Sequence, residues 1–293
     1  MRVFLTSGSG YVGRSVIPAL VRAGHDVTAL ARSESSAAAV AALGAAPVRG
    51  ELTGTEVLRR AAEQADGVIH LGASTGPDAA AVDLAAARAL QAGLDGRGAY
   101  VHTGGVWVYG NTGGVVDEDA PKAPPQITVW RVANEEKVLA DADRGGRPVI
   151  VMPGLVYGNG GHLTRAFFTE PGRASGVVPL IGDGDGGGHW ALVHVDDLAE
   201  LYVLALDATP GSVYVGVSDQ NIPLADIVQA LSVAAGHPGG VERLTLDQAV
   251  ERMGPMAEAF ALDQQLTGAR ARRELGWTPR HPDALADLAA EGA

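Results

Sequence analysis

The chain opens with Arg2-Val-Phe-Leu-Thr-Ser-Gly-Ser-Gly-Tyr-Val-Gly13, and no other stretch restricts its folding as much. Val3, Phe4 and Leu5 form an apolar run that predicts a buried strand. Gly8, Gly10 and Gly13 fit G-x-G-x-x-G, a helical stretch from about Tyr11 to Arg22 follows, and Val27 to Leu30 predict a second strand. Strand, glycine turn, helix and strand within about thirty residues is the context in which this fingerprint binds a dinucleotide. Glycines let the backbone turn tightly and approach a pyrophosphate, and free N–H groups at the helix start stabilise its charge. The candidate contacts are Thr6, Gly8, Ser9, Gly10, Tyr11, Val12 and Gly13. Pro18 falls inside the helical stretch and is read as setting its first full turn or bending it.

The second strand runs out through Ala31, Arg32 and Ser33, where a carboxylate would be expected to bind the ribose 2′-hydroxyl of NAD. A cation and a hydroxyl suit a 2′-phosphate instead, so NADP (as NADPH) is expected as cofactor and NAD is less favoured. Glu51 and Leu52 follow a short third strand ending at Val48 and are placed to flank an adenine. Gly67-Val-Ile-His-Leu-Gly-Ala73 predicts a fourth strand, whose glycine end (Leu71, Gly72, Ala73) points to close approach of backbone and cofactor. His70, inside that apolar run, is read as a core histidine.

Strands and helices alternate onward: helices over 55–64 and 79–94, a strand over 99–103, a helix from about Thr128 to Ala142 and a strand over 148–152. This order predicts an α/β fold, a doubly wound parallel sheet covered on both faces. Residues 153–161 read as a turn-rich exit, and Leu180 to Trp190 as a glycine-rich loop acting as a mobile lid. That loop lacks Gly-Lys-Ser/Thr and is not a P-loop. A helix to about Leu206, a strand over 212–217, a helix over 223–236 and a mostly helical C-terminal third complete the reading.

Totals narrow the function. With 22 Lys and Arg against 34 Asp and Glu the net charge is −12, which disfavours nucleic acid and anionic membrane as partners. There is no cysteine, so disulfides, thiol catalysis and zinc–thiolate sites are excluded, and no metal site is expected. No signal-peptide pattern or membrane-length apolar run is found, so the expected location is cytoplasmic and the expected partner a small-molecule substrate.

The chain resembles the extended short-chain dehydrogenases/reductases of the NAD-dependent epimerase/dehydratase type. The likeness rests on Thr6, Ser7, Gly10 and Gly13, Val68-Ile-His-Leu71, Val108-Tyr-Gly110, Pro153 with Val156-Tyr-Gly158, Gly182-Asp-Gly184, His194-Val-Asp-Asp-Leu-Ala199 and Leu275-Gly-Trp-Thr-Pro279, all in order. It implies a Rossmann lobe (1–155 and 192–217) and a smaller, mostly helical substrate-binding lobe (156–191 and 218–293), with Pro153 and Val156 near the cofactor. A dimer is common in such proteins, and no interface is legible here.

The resemblance also implies an Asn, a Ser or Thr, and a Tyr-x-x-x-Lys pair in catalysis. Placed by spacing, these positions hold Asp83, Gly105 (with Thr103 two residues earlier), Trp130 and Asn134. The chain thus resembles the atypical subgroup that keeps the fingerprint and loses the tetrad. Trp130 has an N–H donor but no acidity at neutral pH, and Asn134 can hydrogen-bond a ribose hydroxyl without carrying charge. Asp83, Thr103 and Tyr109 are the candidate substitutes, with Tyr157 behind them, and Lys137 is read as a solvated lysine. Trp190 stands where an arginine binds phosphate in nucleotide-sugar enzymes, with His189 beside it. Trp107, Trp130 and Trp190 together suggest an apolar or aromatic carbonyl substrate. The leading expectation is an NADP-dependent oxidoreductase. A non-redox epimerase, dehydratase or cyclase and an NADP-binding regulator without catalysis are the alternatives.

Overall fold

The computed structural model describes residues 1–74, 76–161, 163–182 and 187–291. Seven strands form one sheet: β1 (Arg2–Thr6), β2 (Asp26–Ala31), β3 (Ala46–Arg49), β4 (Gly67–His70), β5 (Ala99–Thr103), β6 (Pro148–Pro153) and β7 (Val213–Gly216). Their order is β3-β2-β1-β4-β5-β6-β7, and every neighbouring pair is parallel. The chain reverses direction across the sheet between β1 and β4, which opens a crevice at the carboxyl ends of the strands.

Helices cover both faces. On one lie α1 (Tyr11–Arg22), α2 (Glu34–Ala42) and the helix Val195–Ala205, burying Val16, Ile17, Leu20, Leu198 and Leu201 against Val3, Leu5 and Val101. On the other lie α3 (Thr55–Glu63), α4 (Ala79–Leu94) and α5 (Val129–Leu139), burying Leu58, Leu90 and Val138 against Phe4, Val68 and Ile150. A side chain at Gly93 of α4 would overlap the Arg59 carbonyl of α3, so these two helices pack backbone to backbone. Pro18 lies within α1, which runs on past it to Arg22.

A third apolar cluster gathers Phe168, Leu180, Trp190, Ile227, Leu231, Phe260 and Leu288. Here the structure corrects four expectations. The exit from β6 holds a short strand, Leu155–Tyr157, paired in parallel with Leu192–His194. The C-terminal third also contributes strands, Asn221–Pro223, Val241–Leu244 and Gln265–Leu266, each held by a distant partner. The ends of the segment read as a lid are strands too, Val178–Ile181 and His189–His194, while 183–186 lie outside the described residues. The fourth strand stops at His70, three residues early. No described helix is long and apolar enough to cross a membrane.

Two sequence motifs meet across the fold. The Asp197 carboxylate accepts from the backbone N–H of Arg280 at 2.8 Å and of His281 at 3.1 Å, and its carbonyl accepts from Trp277 Nε1 at 2.8 Å. Asp197 and Trp277 are both buried. The His-Val-Asp-Asp segment is thus the anchor of Leu-Gly-Trp-Thr-Pro. Asp197→Ala strands two backbone donors, and should lower unfolding free energy by about 2–4 kcal/mol, read from the urea midpoint at unchanged slope.

Candidate functional site

The fingerprint loop divides its work residue by residue. Ser7 stands at φ 58°, a left-handed conformation that favours glycine. A Cβ on Gly10 would lie 2.8 Å from Ser7 Oγ, and one on Gly13 would lie 2.7 Å from the Gly8 carbonyl. Gly8 is turned inward, where a Cβ would press on Ala29 and Ile17 at 2.9 Å. Gly10 and Gly13 therefore close the turn, and Gly8 seats the loop on the sheet.

The turn borders a cleft of about 490 Å³ whose walls include Ser9, Gly10, Leu30, Arg32, Ser36, Glu51, Leu52 and Ala73. Arg32 is exposed there, and among the described residues no carboxylate lies within 4.0 Å of its guanidinium. Ser33 instead caps α2, its Oγ accepting from Ser36 N at 3.1 Å, and Ser36 reaches the cleft in its place. Tyr11 turns aside, donating from its hydroxyl to the Gly158 carbonyl at 2.7 Å, and Val12 packs into the core. Pro153 ends β6 opposite Gly216, and Val156 is half-buried beside Val193. A glycine cradle, an unpaired cation and a serine at a helix start fit a phosphorylated dinucleotide.

Beyond Thr6 a polar row crosses three strands. Thr6, His70 and His102 are register partners on β1, β4 and β5, and all three are buried. Thr6 Oγ1 accepts from the backbone N–H of Leu71 at 3.0 Å and of Gly72 at 2.9 Å. Its one proton is left for His70 Nδ1, 2.8 Å away, so His70 carries its own proton on Nε2. That N–H faces Asp83 Oδ1 at 3.7 Å, and His102 Nε2 lies 3.9 Å from the same oxygen. Tyr100 hydroxyl and His102 Nδ1 are 3.0 Å apart. The three candidate ligand atoms of His70, Asp83 and His102 lie within 4.8 Å of one another, which is metal-like spacing, but a protonated Nε2 is a donor and not a ligand.

Asn134 completes this cluster. Its Nδ2 donates to the Ala80 carbonyl at 2.8 Å and to Asp83 Oδ2 at 2.9 Å, which fixes the amide. Burial pushes the Asp83 carboxyl up, but the His70 imidazole, the nearby His102 and the Asn134 amide outweigh it and hold Asp83 below its ordinary value. Burial, helped by His70, pushes His102 down to about 3. The cluster is thus a buried carboxylate held by the Asn134 amide, with two imidazoles close by.

The other candidates are dispersed. Strand alternation points Thr103 to the opposite face of β5 from His102, where its hydroxyl meets Tyr202 Oη at 2.8 Å. Tyr109 is buried and donates to the Glu118 carbonyl at 3.2 Å, and burial pushes its hydroxyl up. Tyr157 is buried, and Lys137 is exposed. Trp130 is half-buried under the Arg131 guanidinium, 4.6 Å from its ring centre. Trp190 is an interior residue, not a side chain of the open cleft: its Nε1 donates to the Phe260 carbonyl at 3.0 Å. With Trp107, Leu155 and Phe260 it walls a small apolar cavity. His189 is tied to Asp263 through Nδ1 at 2.8 Å. His102, Arg131 and Ser36 escaped the sequence reading. Alternation along β5 could have found His102, whereas nothing local marks Arg131.

Two substitutions test the loop. Thr6→Val keeps the shape but leaves two N–H groups and His70 Nδ1 unpartnered, and should cost about 2–4 kcal/mol in urea unfolding. Ser7→Gly relieves a left-handed side chain, and should leave stability unchanged or raise it by up to about 1 kcal/mol.

The NAD dependent epimerase/dehydratase family matches residues 3–216. The chain is 30% identical over 297 residues to an uncharacterized protein of Schizosaccharomyces pombe, covering 99% of each. It is 30% identical over 313 residues to the 4-hydroxy-2-methyl-3-oxo-4-farnesyl-3,4-dihydroquinoline-1-oxide ketoreductase of Stigmatella aurantiaca, covering 96% of this chain and 92% of that one. Among solved structures, the Thermus thermophilus UDP-glucose 4-epimerase in complex with NAD superposes with a TM-score of 0.80 at 21% identity, over 100% of this chain and 99% of that one, a likeness of fold. Sheet order, fingerprint loop and sequence agree: the chain belongs to the NAD dependent epimerase/dehydratase family, the extended short-chain dehydrogenases/reductases, and is an enzyme of that nicotinamide-dependent group.

Proposed function

We propose that the chain is an NADPH-dependent reductase of an apolar or aromatic carbonyl compound, working without the Tyr-x-x-x-Lys pair. The observation that carries the cofactor choice is Arg32, open in the adenosine cleft with Ser36 beside it and no carboxylate at the end of β2. When bound, NADPH supplies a hydride for the carbonyl carbon. Ser9, Gly10 and the N–H groups at the start of α1 bind the pyrophosphate, Glu51, Leu52 and Ala73 flank the adenine, and Arg32 binds the 2′-phosphate. Asn134, locked through its Nδ2, offers Oδ1 as an acceptor to the nicotinamide ribose, and Asp83 holds it there.

The substrate class is supported by the aromatic pair Trp107 and Phe260 and by the Stigmatella relative, whose name describes reduction of a farnesylated quinoline ketone. His189 and Trp190, both engaged elsewhere, offer a sugar pyrophosphate little. We assign cofactor binding to 1–155 with 192–217 and substrate binding to 156–191 with 218–293. The separate apolar cluster around Phe168, Trp190 and Phe260 supports that division.

The test uses NADPH deuterated at its transferable position, the purified protein and a protein-free metabolite extract. Deuterium is expected in a carbonyl-derived alcohol by mass spectrometry, and Arg32→Ala should lose it at low NADPH but regain it at high NADPH. Metabolites that change without gaining label would overturn the redox reading in favour of epimerase or dehydratase chemistry.

A further inference from the structure

The carboxyl end of β5 carries a cation with no carboxylate in ion-pair range. Arg131, in the first turn of α5, donates from Nη1 to the Thr103 carbonyl at 3.4 Å while stacking on Trp130. Among the described residues no carboxylate oxygen lies within 4.0 Å of its guanidinium, and the adjacent Glu135 is paired with Lys122 at 3.0 Å. One long hydrogen bond leaves most of the five donors of the fork uncommitted. His102 and the Thr103–Tyr202 pair lie on opposite faces of β5, and the bond to the Thr103 carbonyl puts the guanidinium at the strand's end. Two residues past Thr103 the backbone is extended at Gly105, and a Cβ there would meet nothing within 4 Å. Gly105 therefore borders open space two residues beyond the carbonyl that Arg131 holds.

Its place in the fold gives this a meaning. A dinucleotide lies across the crevice at the carboxyl ends of the strands, with one half on each side of the switch between β1 and β4. The cleft with Arg32 occupies the side of β1, β2 and β3. The reactive half then falls over β4, β5 and β6, where Arg131 stands.

We propose that Arg131 is the electrophilic catalytic residue: it binds the oxygen of the carbonyl substrate and stabilises the negative charge that forms there. This rests on the reductase reading above. The carbonyl carbon gains a hydride as the reduced nicotinamide is oxidised, and the C=O π pair moves to oxygen. The resulting alkoxide is held by guanidinium N–H donors, and water gives it a proton and leaves as hydroxide. Arginine stays protonated throughout and is not the acid. Charge stabilisation at a preorganised cation replaces the proton transfer that a tyrosine would perform.

The test needs no substrate. The protein saturated with NADP⁺ is titrated with 4-nitrophenol, an aromatic oxyanion whose ionised form absorbs visibly. Wild type should bind the phenolate and shift the phenol toward ionisation. Arg131→Gln should bind it about 10–100-fold more weakly with NADP⁺ affinity retained, and Arg131→Lys should fall between. No phenolate binding by wild type, or equal binding by the Gln variant, overturns the proposal. So does a folded Gln variant that has lost NADP⁺ itself, because Arg131 is then a cofactor ligand. A wild-type protein that binds neither NADP⁺ nor NADPH sinks the reductase reading and this inference with it.

Discussion

The carboxyl edge of the sheet depends on how one hydroxyl is used. Thr6 ends β1 at the point where the chain must turn through the glycine loop, and it faces the first residues beyond β4. By accepting from Leu71 and Gly72 it fixes the exit of β4 beside the cleft. Having no acceptor capacity left, it also decides where the His70 proton sits. That proton faces Asp83, and Asp83 orients Asn134. The Thr6–His70 hydrogen bond and the Asp83–Asn134 hydrogen bond thus lie end to end, with His70 Nε2 approaching Asp83 at 3.7 Å between them.

The loss of the Tyr-x-x-x-Lys pair follows this polarity through. At position 134 the partners are acceptors, the Ala80 carbonyl and the Asp83 carboxylate, and Asn134 meets both through its Nδ2 without bringing a charge. The charges are redistributed rather than absent. Asp83, on α4, is a carboxylate where the family pattern has an asparagine, and Arg131, one residue along from Trp130, puts a cation at the end of β5. Such an edge favours holding and stabilising charge over moving protons.

Much of this was legible because local patterns determine it. Tyr11–Arg22, Ala79–Leu94 and Ala99–Thr103 fall where periodicity and breakers put them. The glycine turn likewise falls where its spacing put it, and it borders a cleft that Arg32 lines. Leu155–Tyr157 was not legible, since three residues become a strand only when Leu192–His194 arrives from far along the chain. The inward turn of Trp190 depends on Phe260, equally distant in sequence. Thr103 differs: its direction follows from alternation with His102, but a hydroxyl near an expected site draws attention before its face is considered. Arg131 has no sequence signature, because an arginine beside a tryptophan on a helix reads as solvated.

Electrostatics ties the two ends of the crevice together. A protein of net charge −12 repels a cofactor that carries several phosphate charges, so local cations must overcome the global field. Many of its arginines are committed to carboxylates, as in Arg2 with Asp66, Arg22 with Glu200 and Arg252 with Glu242. Arg32 and Arg131 have no such partner among the described residues, and they stand on opposite sides of the strand switch. An arginine left unpaired on an acidic surface forgoes an easily found partner. On the proposed reductase reading these two would meet ligand anions: a phosphate at the end of β2, and an oxyanion that exists only during reaction at the end of β5.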